Sequence, residues 1–231
     1  MKSTTEAKQD QKLKVLGVCG GIGQGKSTAC KLLVSDLGCI AHLDADSIGH
    51  SVYTPGSQAV KDVVSEFGSG ILAEGTDDTI DRKELGKIVF ADRSVMARLE
   101  KIVWPHVKTL LSEKIESLKL DWEKEKNDDD SAIIVLEAAI LLDAGWDDLL
   151  DGIWAVRAPK FTAVKRLVET RNLAVEEAEK RMKYQNSSRG IGNIDAEVKN
   201  GVITAVIENS GTLEDLKESL QNAIHDPKSW K

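Results

Sequence analysis

Several things are scarce in this chain, and each scarcity removes a class of function. No apolar run approaches the roughly 20 residues of a membrane-spanning helix. Basic residues are not in excess: 31 Lys and Arg face 38 Asp and Glu, a formal net charge of −7. That balance argues against nucleic acid or an anionic membrane as the main partner, so a phosphorylated substrate needs a local basic pocket. Cysteine is sparse as well. Cys19, Cys30 and Cys39 are odd in number, lack C-x-x-C spacing and lie in or beside apolar runs. Buried free thiols in a reducing compartment are expected, rather than disulfides or metal ligands. Residues 1–12 have neither an apolar segment nor an arginine, so no secretory signal or transit peptide is evident. A flexible N-terminus and a cytoplasmic location are the expectations. No internal repeat is present.

What remains has the composition of a globular enzyme. The 231 residues are 41% hydrophobic and 30% charged, enough for a real core and not the signature of disorder. The most constraining feature is the run Gly20, Gly21, Ile22, Gly23, Gln24, Gly25, Lys26, Ser27, which reads G-x-x-x-x-G-K-[ST]. Glycines let the backbone close around a phosphate with successive amides pointing inward. Lys26 adds a charge for the β- and γ-phosphates, and Ser27 offers a hydroxyl to Mg²⁺. By average composition such a pattern arises in roughly one chain of this length in a hundred. Context strengthens it, because a strand-like run from Leu13 to Cys19 precedes it and Ser27 to Leu33 continues with helical spacing.

Strand-like segments at Leu13–Cys19, Cys39–Leu43, Ala132–Glu137, Gly152–Arg157 and Val202–Glu208 alternate with helical stretches. An α/β fold follows: a five-stranded parallel sheet with helices on both faces and ligands at the carboxyl ends of its strands. Residues 13–231 read as one such domain. The stretch from Leu43 to Ala132 exceeds a single crossover, so an inserted helical unit is expected over 45–130, with helices at Ser57–Phe67, Arg82–Phe90 and Ser94–Leu120 and a kink or division at Pro105. The charged run Asp121–Asp130 reads as a solvated loop.

Two further segments bear chemistry. Asp44-Ala45-Asp46 follows the second strand, where alternation turns only one carboxylate toward the phosphate loop. That group can orient or deprotonate a hydroxyl nucleophile; a helix N-cap is the plainer role for an aspartate here. Two short helices, Phe161–Arg171 and Ala174–Gln185, carry Arg166, Arg171, Arg181 and Lys183 and read as a lid over 158–190. Arginines there can neutralise a transferring phosphoryl group, or pair with Glu169, Glu176, Glu177 and Glu179 on an exposed face.

These residues carry a resemblance. The phosphate loop with Thr28, then Leu43-Asp44-Ala45-Asp46, Tyr53-Thr54-Pro55-Gly56, Ile80 to Gly86 and Trp104-Pro105 are similar in order to the dephospho-coenzyme A kinases. The similarity continues through Glu137 to Trp146, Arg166 to Gln185 and Ile207 to Gly211, so it spans about 14–222. Trp104-Pro105 and the run to Trp146 resemble most the kinase domain of eukaryotic bifunctional coenzyme A synthase. The adenylyltransferase domain of that protein has no counterpart here, and a separate adenylyltransferase of the same pathway is the partner this implies.

The resemblance implies a P-loop kinase that uses ATP and Mg²⁺ to phosphorylate the 3′-hydroxyl of dephospho-coenzyme A. Asp46 takes the place of the catalytic base and Arg82 of a basic residue in the coenzyme-A-binding insertion. Lys26 and Arg181 act on the transferring phosphoryl group. Arg166 contacts ATP from the lid, and Asn209 and Gly211 lie near the adenine. Many bacterial members have His-Pro where Trp104-Pro105 stands, so no role passes to His106. Ala139 and Asp143 likewise replace a proline and a glutamate. Two other readings stay open from the phosphate loop alone. One is a nucleoside or nucleotide kinase. The other is a GTPase-like switch, for which Asp46-Ser47-Ile48-Gly49 lies too near the loop and no N-K-x-D motif exists.

Overall fold

The structure, a computed structural model, describes residues 13–125, 132–185 and 193–231. Five parallel strands form one sheet: β1 (Lys14–Cys19), β2 (Ala41–Asp44), β3 (Ile133–Glu137), β4 (Gly152–Arg157) and β5 (Ala205–Glu208), in the spatial order β2-β3-β1-β4-β5. The expected strands are all present. β2 and β5 begin later than the apolar runs suggest, because the Cys39 amide donates back to the Leu33 carbonyl and the Ile203 amide to the Glu197 carbonyl, not to a neighbouring strand.

Strand alternation explains the two cores. Val15 and Cys19 of β1 face one side with Ile134, Leu136, Ile153 and Ala155. Leu16 and Val18 face the other with Val135, Trp154 and Val156. The second face is covered by α1 (Lys26–Ser35), through Ala29, Cys30 and Leu33, and by the C-terminal helix α9 (Leu213–His225), through Leu216, Leu220 and Ala223. All three cysteines are buried and free, and burial pushes the thiols of Cys19 and Cys39 up to about 12.

Between β2 and β3 run α2 (Ala45–Ser51), α3 (Gln58–Phe67), α4 (Arg82–Val89) and α5 (Arg93–Glu125). Val60, Val63, Ile71, Ile80, Leu85 and Val89 give this unit a small core of its own. Val107, Leu111 and Ile115 of α5 tie it to the sheet. Two expectations need correction. Pro105 does not divide α5, which continues for 33 residues. Proline removes one amide donor, but tertiary packing holds the flanking turns. Asp121 to Glu125 belong to that helix rather than to a loop, with Lys124 paired to Asp121 at 3.0 Å; residues 126–130 lie outside the described residues, as does the expected flexible segment 1–12.

After β4 come α6 (Lys160–Arg171) and α7 (Val175–Gln185), packed through Ala163, Leu167, Ala178 and Met182. They match the two helices expected for the lid; 186–190 lie outside the described residues. A short α8 (Ile194–Lys199) precedes β5. Among the described residues no helix is long and apolar enough to cross a membrane.

Candidate active site

β1 ends at the centre of the sheet, and Gly20 to Gly25 carry the chain from its carboxyl end into α1. Gly25 is the N-cap of α1, with φ 95° and no side-chain capping bond, so the first amides of the helix stay available to a ligand. Its missing Cβ is required twice over. The left-handed backbone disfavours side chains, and a methyl there would collide with Nδ2 of Asn209.

The loop is braced from three sides. Asn209, 4% exposed at the end of β5, donates from Nδ2 to the Gln24 carbonyl at 2.8 Å. Arg166 donates to the carbonyl and Oδ1 of Asn209, both at 3.2 Å. Gln185 of α7 accepts from the Ile22 amide at 2.6 Å, and the Gln24 side chain accepts from the Ala158 amide. Arg166 and Asn209, expected at the nucleotide, therefore also hold the loop's shape. Asn209→Ala removes the bond to the half-buried Gln24 carbonyl, to which Arg166 then donates alone from 3.5 Å, and loses a net hydrogen bond worth about 0.5–1.5 kcal/mol. The expected results are a lower denaturant midpoint and a raised KM for ATP, both measured against the parent chain.

A cavity of about 480 Å³ opens over this loop, lined by Lys26, Ser27, Thr28, Asp46, Arg166, Arg171 and Gln185, with Gly21, Ile22, Gly23 and Gly25. Gly20, the residue after β1, does not line it. A larger cavity of about 640 Å³ lies behind the loop against α7, but it contains neither Lys26 nor Asp46. Arg181 is not brought into either; it donates to Glu177 one turn away at 2.9 Å. Gly211 sits in the turn before α9, against Asp215, and lines neither cavity.

The two aspartates separate by role. Asp44 is the N-cap of α2 and accepts from the amides of Asp46 and Ser47 at 3.0 and 3.4 Å. Asp46, in the first turn, is turned into the cavity. Burial and then the charge of Asp44 raise its pKa, against the lowering effect of Lys26. A third cavity of about 420 Å³ begins at Asp46 and runs into the inserted unit, lined by His50, Tyr53, Arg82, Trp104, Ile140 and Trp146. Arg82 opens α4 and lies over the Tyr53 ring at 5.6 Å. Trp146 Nε1 is buried on this wall with no hydrogen-bond partner among the described residues. His106 is occupied elsewhere, 2.8 Å from Asp62.

One site residue was not singled out from sequence. Glu137 is the last residue of β3, paired in register with Val18 beside the loop. Its Oε1 accepts from Ser27 Oγ at 2.7 Å, and its Oε2 lies 3.0 Å from His42 Nε2. Burial alone would raise its pKa, but the bonds from His42 and Ser27 and the Lys26 charge hold it below the usual glutamate value. The signal was available: an acid closing an apolar β-run next to the strand that feeds the loop.

The family model for dephospho-CoA kinase matches residues 14–215. The chain belongs to the dephospho-CoA kinase family. It is 35% identical over 222 residues to the dephospho-CoA kinase of Carboxydothermus hydrogenoformans, covering 95% of this chain and 96% of that one. The dephospho-CoA kinase of Geobacter sulfurreducens is 34% identical over 209 residues, covering 90% and 96%. Among solved structures, the protein TT1252 of Thermus thermophilus superposes with a TM-score of 0.66 at 28% identity, over 92% of this chain and 96% of that one. A dephospho-CoA kinase of Campylobacter jejuni shares the fold with a TM-score of 0.57 at 24% identity, over 91% and 94%.

Proposed function

We propose that this kinase transfers the γ-phosphoryl group of ATP to the 3′-hydroxyl of dephospho-coenzyme A, with Asp46 at the point of transfer. The observation that carries this reading is that Asp46 lines two cavities at once, the one over the phosphate loop and the one entering the inserted unit. A carboxylate shared by a donor pocket and an acceptor pocket is where a hydroxyl must be held in line with a phosphorus.

The loop amides and Lys26 hold the β- and γ-phosphates. Asp46 orients the 3′-hydroxyl and takes its proton as the oxygen–phosphorus bond forms, while the γ-phosphorus separates from the bridging oxygen of ADP. Arg166 and Arg171 of the lid neutralise charge on the transferring oxygens. Arg181, paired with Glu177, is placed for this role only if the lid closes further. Ser27 fits a hard cation: its proton goes to Glu137, so its oxygen lone pairs are free, and a hydroxyl oxygen backed by a carboxylate suits Mg²⁺. Ser27, backed by Glu137, would hold Mg²⁺, which would supply neutralising charge at the phosphates.

Arg82, Tyr53, Trp104 and Trp146, whose Nε1 has no hydrogen-bond partner among the described residues, form the acceptor wall. In a chain of net charge −7, an anionic acceptor needs such a counter-charge. Arg82→Ala is expected to raise the KM for dephospho-coenzyme A about 10–100-fold, from loss of a charge-assisted contact, and to leave the KM for ATP near its parent value. Equal changes in both constants would remove Arg82 from the acceptor pocket. A screen of nucleosides and nucleotides as acceptors is expected to show none used as well as dephospho-coenzyme A.

A further inference from the structure

Beneath the phosphate loop, on the sheet face covered by α1, three side chains with metal-binding chemistry meet. Cys30, His42 and Glu137 each present one ligand atom, and these atoms lie within 4.8 Å of one another. Chain geometry brings them together. Ser27 and Cys30 are three residues apart on one face of α1, so the carboxylate that accepts from Ser27 also faces Cys30. His42 stands on the edge strand β2, two residues before Asp44, which is in register with Glu137. Cys30 is fully buried and Glu137 nearly so, whereas the His42 side chain is 26% exposed at the sheet edge. A small ion can therefore enter past His42.

We propose that Cys30, His42 and Glu137 form a second cation site, distinct from the Mg²⁺ position at Ser27, that takes a thiophilic divalent ion of the Zn²⁺ class. A sulfur, an imidazole nitrogen and a carboxylate oxygen form a borderline-soft set that Zn²⁺ accepts and Mg²⁺, which prefers oxygen ligands, does not. With Zn–S near about 2.3 Å and Zn–N and Zn–O near about 2.0–2.2 Å, the three atoms close on an ion after side-chain adjustments of about an ångström. Water from the His42 side completes a four-coordinate shell. Burial, then the charge of Glu137, pushes the Cys30 thiol up, so it is neutral until a cation displaces its proton. Binding then forms a sulfur–metal bond, releases the Cys30 proton to solvent and uses the unprotonated nitrogen of His42. No oxidant or reductant takes part.

The site shares one group with the reaction. Glu137 accepts from Ser27 through Oε1 and faces His42 through Oε2. An ion bound by Cys30, His42 and Glu137 draws charge from the carboxylate that sets the Ser27 hydroxyl, so its binding opposes turnover. That consequence rests on the role of Ser27 proposed above; the binding itself does not.

The test is titration of the purified full chain with Co²⁺ in chelator-treated buffer, followed by absorption spectroscopy. One equivalent is expected to produce a near-ultraviolet thiolate-to-cobalt charge-transfer band together with visible bands of tetrahedral intensity, both abolished by added Zn²⁺. Cys30→Ala is expected to lose the charge-transfer band while keeping its far-ultraviolet circular dichroism and its Mg-ATP turnover, with a modestly lower unfolding midpoint from the truncated core side chain. His42→Asn is expected to weaken binding by at least the about 10–100-fold that loss of even an outer-sphere partner costs. Cobalt bound without the thiolate band, or an unchanged spectrum in Cys30→Ala, overturns the site. Micromolar Zn²⁺ is expected to inhibit the parent chain and to spare Cys30→Ala. A normal cobalt spectrum with no inhibition by Zn²⁺ leaves the site standing and overturns its coupling to Ser27.

Discussion

Lys26→Ala is expected to reduce turnover by at least about 10²–10³-fold, the cost of removing one preorganised charge from a transition state. Lys26 is the first residue of α1 and lines the cavity over the loop. Its charge is needed most as negative charge accumulates on the departing β-phosphate oxygen, so kcat falls more than ATP affinity. The residue lies outside the apolar cores, and Ala is a good helix former, so the unfolding midpoint is expected to stay near that of the parent. Coupled ADP-release assays and a denaturant titration on the same preparation check both halves. Near-normal turnover would remove the phosphate loop from the chemistry.

Asp46→Asn is expected to lower turnover by about 10²–10⁴-fold, the usual range for general-base assistance, with little change in acceptor affinity measured by calorimetry. Asp44→Asn is its control. Asp44 caps α2, and asparagine caps a helix about as well as aspartate, so a modest effect is expected. A pH profile adds a second signature. The pKa of Asp46 is raised by burial and by Asp44, so its ionised form is lost at a higher pH than for an ordinary aspartate. The acid limb of kcat/KM in the parent is therefore expected at a higher pH than an ordinary aspartate would give, and Asp46→Asn abolishes it. A larger loss of turnover in Asp44→Asn would exchange the two roles.

Much of this arrangement is legible in the chain because local chemistry and long-range packing agree there. The apolar runs ending at Cys19, Glu137 and Arg157 are short, rich in Val and Ile, and bounded by turns, and they became buried parallel strands. The phosphate loop is carried by positive-φ glycines that no other residue replaces at low cost. Spacing failed where a tertiary partner decides. Asp121 to Glu125 read as a loop because they are mostly charged; the helix is extended from a core anchored earlier along α5 by Val107, Leu111 and Ile115. Spacing leaves Arg181 open to a phosphate contact or an i,i+4 pair with Glu177 on its own helix, and the pair is what the structure shows. Asp44 and Asp46 could not be ranked from alternation alone, since the strand stops at Asp44 and helix geometry takes over. Glu137 was hidden because what marks it is its contacts with Ser27 and His42, which lie 110 and 95 positions away in sequence.

The central claim is the identity of the acceptor and of the atom phosphorylated. Mass spectrometry of the product formed from purified protein, Mg-ATP and dephospho-coenzyme A tests it most directly. The account predicts a mass gain of one phosphate on the acceptor, with fragmentation placing it on the ribose 3′-oxygen, and its disappearance in Lys26→Ala. An unmodified acceptor with ATP consumed, or phosphate on any other atom, would contradict it.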